Sequence, residues 1–244
     1  MSHKSLKQKV RDGDMLVGIA VPSGIDRIRF KAILDQGPYD FVAVDSQHSP
    51  FDERRLVDVC AMAAEFDMPI HFRIKHTRHT YLIGNCLDLG PAGVEVPQVE
   101  LESTVEEAIE YFYYPPLGKR SYGSMTSFGA KNFEDPFEYA KWWNDVGVLW
   151  MQLESVEAVE KVYALAKAGV DCVSFGPIDL SFSLKYSSHP RLKTIDDCVR
   201  QVIKTLEGTD VAVCFRNLSA ENRRRYIDMG VTVFLEHFRS LKLS

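Results

Sequence analysis

The chain has 244 residues, 45% of them hydrophobic and 26% charged, with a formal net charge of −5 at pH 7; that is ample core-forming material for a globular α/β protein. The negative balance excludes a general nucleic-acid or anionic-membrane binder, which would present a basic surface. The polar N-terminus has no signal-like apolar stretch, no run reaches membrane-span length and the five dispersed cysteines form no CxxC pair, so a reduced cytoplasmic protein is expected.

The first strand is read at 15–21 (MLVGIAV), before a Pro22-Ser23-Gly24 turn. A helix follows in 26–37, where Ile28, Phe30, Ile33 and Leu34 recur at helical spacing and Gly37 stops it. FVAVD (41–45) is the second strand, 52–66 an amphipathic helix and IHFRIK (70–75) the third strand. A helix at 81–90 closes on Gly90, and GVEVP (93–97) is the fourth strand. Ser103 and Glu106 form a capping box opening the helix 103–112. The Pro/Gly/Ser/Tyr segment at 113–136 exceeds a simple connector and is expected to serve function or an interface. A helix through 138–146 leads to the fifth strand, 147–154, which ends in Glu154. The crossover helix 156–169 repeats Val156, Val159, Val162 and Ala166 and leads to the sixth strand, DCVSF (171–175), with Asp179 just beyond. A helix at 195–208, the strand VAVCF (211–215), a helix at 219–230 and the strand VTVFLEH (231–237) complete the pattern.

Eight strands alternating with helices, without a composition break, predict one domain over 1–244, a (β/α)8 TIM barrel, ahead of an open doubly wound sheet. No GxGxxG follows the first strand, which weakens a dinucleotide reading. Only 238–244 follow the eighth strand, so the final helix is expected to be truncated or missing.

In such a barrel the C-terminal strand ends face the site. Those positions hold Asp45 and His48 after strand two, Arg73 on three, Gln98 after four, Gln152 and Glu154 on five and Asp179 after six. Glu154 and Asp179 end neighbouring strands that carry no cation, and suit a hard divalent ion: Mg²⁺ or Mn²⁺, and by extension Co²⁺. The competing reading makes them caps of a helix and a turn. His48, three residues after Asp45, reads as a base oriented by that carboxylate, or else as an idle loop histidine. Arg73 calls for an anion, either a substrate carboxylate or enolate or a structural partner in Asp45 or Glu95. His71, His76 and His79 lack metal-site spacing and read as surface or supporting residues. Arg223 to Arg225 read as a solvated helix face, and Trp142, Trp143 and Trp150 as packing.

Four stretches, FVAVDSQHSPFD, LDLGPAGVEVPQVE, YYPPLGKRSYG and the pair MQLES with VDCVSFGPIDLS, carry a resemblance over about 18–230. They resemble the HpcH/HpaI family of metal-dependent (class II) pyruvate aldolases, the 2-dehydro-3-deoxyglucarate aldolases among them. The resemblance implies a phosphoenolpyruvate/pyruvate-type barrel that cleaves a 4-hydroxy-2-oxo acid to pyruvate and an aldehyde. It implies Glu154 and Asp179 as ligands of the divalent ion and Arg73 as donor to the keto or enolate oxygen. His48 with Asp45 would be the acid/base, and Gln152 would support a water or the substrate. The stretch Gly176, Pro177, Ile178 and Asp179 would hold the pyruvate carboxylate through backbone amides. Partners implied are a small 2-oxo acid, an aldehyde and further copies of the chain. In relatives the last helix packs on a neighbouring subunit, so the short tail weakens the expectation of their hexamer. Gln47 stands where the family has Glu before the histidine, and Ser121 where its PPxGxRG stretch ends in Gly. Rival readings are a Schiff-base aldolase using Lys75, a carbon–carbon lyase acting on an acyl-CoA ester, and a barrel without catalysis that serves binding or assembly.

Overall fold

The computed structural model describes residues 4–123, 125–217 and 223–237, the Asn217 side chain excepted. Eight strands pair in parallel in chain order and close into a barrel, β1 meeting both β2 and β8. They are β1 (Leu16–Val21), β2 (Phe41–Asp45), β3 (Ile70–Arg73), β4 (Gly93–Val96), β5 (Val148–Leu153), β6 (Cys172–Phe175), β7 (Ala212–Asn217) and β8 (Val233–His237). Helix α1 (Leu6–Arg11) precedes them, and α2 (Arg27–Leu34), α3 (Glu53–Ala64) and α4 (Ile83–Leu87) follow the first three strands. Then come α5 (Glu102–Phe112), α6 (Pro136–Val146), α7 (Val156–Glu160), α8 (Val162–Leu165), α9 (Pro177–Tyr186), α10 (Ile195–Thr205) and α11 (Arg223–Ile227). This is the (β/α)8 barrel the alternation predicts. The tail 238–244, on which the expected loss of the final helix rests, and residues 219–222 of the expected helix 219–230 lie outside the described residues.

Three local expectations change. The crossover 156–169 breaks at Lys161 into α7 and α8. The capping box at Ser103 does not form: Leu101 is the last extended residue before α5, so Ser103 already lies inside the first turn. A reciprocal box instead opens α10, between Thr194 and Asp197. Arg224 and Arg225 are solvated as expected, pairing at the surface with Asp228 and Asp196, whereas Arg223 is largely covered and pairs with Glu236.

Strand side chains alternate between two cores. On β5, Leu149, Met151 and Leu153 pack outward under the helices, whereas Val148 and Trp150 join Phe41, Cys172 and Leu235 inside the barrel. His71, expected at the surface or in a supporting role, is 1% exposed and stacks in this interior, 4.0 Å between its ring centroid and that of Trp150. Burial pushes its pKa down to about 3, so the ring is neutral. Glycine makes the room: a Cβ at Gly93 would fall 2.7 Å from His71 Nδ1.

Helix α1 seals the N-terminal end. Lys7 donates to Tyr113 Oη at 2.8 Å and to the Gly147 carbonyl at 2.9 Å, and lies 3.3 Å from Asp171. Arg11 pairs with the other Asp171 oxygen at 2.9 Å, and the Leu149 amide also bonds this acid. The segment 113–136 is pinned to the barrel flank by Arg120, which bonds Asp88 at 2.9 Å and stacks between Tyr114 and Trp143. All five cysteines are free. Among the described residues no helix is long and apolar enough to cross a membrane. The open mouth is thus the C-terminal end of the strands.

Candidate active site

Where the inward phase of the strands reaches that mouth, apolar packing gives way to Asp45, Arg73, Glu95, Gln152, Ser174 and Arg216. The parallel register puts Asp45 beside Arg73 and Gln152 beside Ser174. Arg73 Nε donates to Asp45 Oδ1 at 2.7 Å, and its Nη1 donates to Gln152 Oε1 at 3.1 Å. Of the two structural partners open to Arg73, the bonded one is therefore Asp45. Burial alone would raise the Asp45 pKa, but the Arg73 bond and charge and the amides of Gln47 and His48 outweigh it and hold the carboxyl below its usual value.

Asp45 does not orient the His48 ring as the sequence suggests. Its two oxygens are taken by Arg73, by the Gln47 N–H at 2.9 Å and by the backbone N–H of His48 at 3.3 Å. The imidazole is exposed at the rim and has no hydrogen-bond partner among the described residues. Gln98 contributes its backbone: with φ at +50°, it turns its N–H onto Glu154 Oε2 at 3.0 Å.

Neither Glu154 nor Asp179 is a cap. Ser155 caps α7, its Oγ accepting from the Ala158 N–H at 3.1 Å. Gly176 precedes α9 with no capping side chain, Pro177 opens the helix, and Ile178 and Asp179 lie in its first turn. Glu154 is 7% exposed and packs so close to Gly176 that a Cβ there would fall 2.6 Å from Glu154 Cγ. Burial first, and then the charge of Asp179, raise the Glu154 pKa to about 7 against the pull of Arg73.

The charge pattern tests whether a cation belongs here. Asp45 pairs with Arg73 and Glu95 with Arg216, while Glu154 and Asp179 form no ion pair among the described residues and repel each other, a repulsion that the more distant Arg73 and Arg216 only partly offset. Two hard oxygen donors, one buried on Glu154 and one exposed on Asp179, neither in an ion pair, fit a hard divalent ion. No third His, Cys, Asp or Glu completes a metal cluster among the described residues, so water and substrate oxygens would fill the remaining positions.

Sequence reading missed the pairing of Ser174 and Arg216 with Glu95. Ser174 Oγ donates to one Glu95 oxygen and Arg216 Nη2 to the other, within the barrel floor. The available signal was phase: Cys214 and Arg216 follow Ala212 at the strand period of two, so Arg216 shares their inward face. Lys75 is exposed beyond the end of β3.

The HpcH/HpaI aldolase/citrate lyase family model matches residues 30–233. A hydroxypyruvate/pyruvate aldolase from Roseobacter denitrificans is 29% identical, covering 97% of this chain and 95% of that protein. A 2-keto-3-deoxy-L-rhamnonate aldolase from Salmonella gallinarum is 28% identical, over 80% of this chain and 74% of the relative. The crystal structure of an HpcH/HpaI aldolase from Desulfitobacterium hafniense superposes with a TM-score of 0.81 at 26% identity, over 96% of this chain and 90% of that one. With the family model spanning most of the barrel, the chain belongs to the HpcH/HpaI aldolase/citrate lyase family.

Proposed function

We propose that the chain is a metal-dependent aldolase that cleaves a 4-hydroxy-2-oxo acid to pyruvate and an aldehyde. The observation that carries this reading is the uncompensated pair Glu154 and Asp179 beside an arginine fixed by Asp45 and Gln152. In the cleavage the C3–C4 bond breaks and its electrons become the pyruvate enolate, while C4 loses its hydroxyl proton and becomes the aldehyde carbonyl. When bound by Glu154 and Asp179, a divalent ion supplies Lewis-acid stabilisation of the charge on the 2-oxo oxygen. Arg73 has Nε and Nη1 committed to the protein, which leaves Nη2 to donate to that same oxygen. Because the charge develops only as the bond breaks, donors already aimed there lower the barrier. The first-turn amides of Ile178 and Asp179 have no helical acceptor and receive the substrate carboxylate at the positive end of α9. His48, its ring free at the rim, takes the C4 hydroxyl proton, and the enolate regains a proton at C3.

The relatives named above for hydroxypyruvate/pyruvate and for 2-keto-3-deoxy-L-rhamnonate support chemistry on a 2-oxo acid. A Schiff-base route calls for a desolvated lysine, which the exposed Lys75 does not offer. The test is pyruvate release from a panel of 4-hydroxy-2-oxo acids, read with a coupled dehydrogenase. Release should vanish in EDTA and return with Mg²⁺, Mn²⁺ or Co²⁺. Release that survives EDTA and is destroyed by borohydride with pyruvate would replace the metal reading with a Schiff-base one.

A further inference from the structure

Glu154 and Asp179 reach the site from different elements, and little apolar packing fixes one element against the other. Glu154 follows β5 and leads at once into α7, whereas Asp179 lies in the first turn of α9. Of the large apolar side chains on α9, Ile178, Phe182 and Tyr186 are exposed, Leu184 is half-buried and Leu180 alone is fully covered. The helix enters from Gly176, whose N–H donates to the Leu153 carbonyl at 3.0 Å. That bond fixes where α9 begins and leaves its direction open. A single side chain supplies the missing restraint. Val156 opens α7, so its N–H has no acceptor within that helix. Ser183 Oγ accepts from it at 3.0 Å, and among the described residues no other side-chain hydrogen bond joins α9 to α7. Ser183 stands four residues beyond Asp179, on the same face of α9, and its partner stands two residues beyond Glu154. The bond thus spans the two elements that carry the acids. Because those acids repel each other, the force between α9 and the β5 end is outward until a cation lies between them, and this bond opposes it. The next tie, His189 to Glu160 at 3.0 Å, comes only after α9 has ended.

We propose that Ser183 is a positioning residue that holds α9 against the start of α7, and so keeps Glu154 and Asp179 together before a cation arrives. This inference rests on the metal reading of the two acids given above. Without the bond the acids relax apart, and a cation must first draw them together. Where only about a tenth of the molecules stay seated, the apparent affinity falls about tenfold, a shift within reach of one ordinary hydrogen bond. The test is Mn²⁺ binding by the intact protein, read without substrate from the EPR signal of the free ion. Ser183→Thr and Ser183→Val introduce side chains of the same shape that differ in the oxygen Val156 needs. The threonine variant should bind within about twofold of wild type, and the valine variant about 5- to 10-fold more weakly. Ser183→Ala should match valine. A bond that served stability alone would lower the urea midpoint in EDTA and leave the Mn²⁺ affinity unchanged, so the affinity is the deciding readout. Threonine and valine variants of equal affinity, with the wild type binding Mn²⁺, overturn the role of Ser183 alone, and this comparison decides even where the alanine variant fails to fold. A wild type that binds no Mn²⁺, or binds it as tightly after Glu154→Gln, overturns the metal reading and the positioning role with it.

Discussion

Glu154→Gln isolates the electrostatic cost of the site from its chemistry. The substitution keeps the shape beside Gly176 and an oxygen for the Gln98 amide, and removes one of two facing negative charges. Burial and Asp179 raise the carboxyl from an ordinary 4.5 to about 7, which corresponds to roughly 3 kcal/mol of folding free energy. The sign follows from proton binding. Below about pH 4.5 the carboxyl is protonated in both states and nothing is lost. As pH rises from about 4.5 to 7 the unfolded chain is ionised while the folded one still holds its proton, so over that window the wild type loses stability that the glutamine variant keeps, and above it the gap is constant. Urea unfolding in EDTA from pH 5 to 8.5 should show the variant gaining roughly 2–3 kcal/mol on the wild type, most of it by pH 7.5. Added Mg²⁺ should stabilise the wild type at pH 8.5 in a concentration-dependent way and the variant far less. A gap between the two proteins that stays flat with pH, or narrows, would refute the reasoning.

Gly176→Ala should push the Glu154 carboxylate aside, since the new Cβ falls 2.6 Å from its Cγ; we expect more than a tenfold loss in kcat/KM and weaker stabilisation by Mg²⁺, read by thermal shift. Asp45→Asn removes the charge that steadies Arg73 and should lower kcat/KM about 10- to 100-fold with the urea midpoint shifted little, as steady-state kinetics and unfolding on the same sample would show. At the other end of the barrel, Asp171→Ala strands Lys7 and Arg11 and should cost about 3–5 kcal/mol in urea, with no dependence on added metal.

The barrel could be read before it was seen because the strands are short and largely apolar and several end at, or one residue before, a charged or polar side chain. That punctuation is local, and it placed Asp45, Arg73, Glu154 and Asp179 at the mouth. What escaped sequence reading depends on cross-strand geometry. The Asp45 carboxylate lies three residues from His48, yet parallel register sets Arg73 directly beside it, and a guanidinium at 2.7 Å outcompetes a loop imidazole. The Glu95–Arg216 pair joins residues 121 positions apart on strands across the barrel, where no spacing rule reaches. His71 reads with His76 and His79 as a surface or supporting residue, but strand alternation turns it inward onto Trp150 while His76 stays exposed. The Ser103 box failed for a local reason: the helix starts at Glu102 behind Leu101, which offers no capping side chain, so Ser103 falls inside the helix it was expected to open.

The central claim is that Glu154 and Asp179, with Arg73, stabilise a pyruvate enolate when a divalent ion is bound. Exchange of the pyruvate methyl protons with deuterium, followed by NMR, tests this without an aldehyde partner. Metal-loaded wild-type protein should exchange them well above the rate of buffer and metal alone, EDTA should stop the exchange, and Glu154→Gln should slow it at least about 100-fold. Exchange at the buffer rate with every metal, or exchange untouched by EDTA or by Glu154→Gln, would contradict the account.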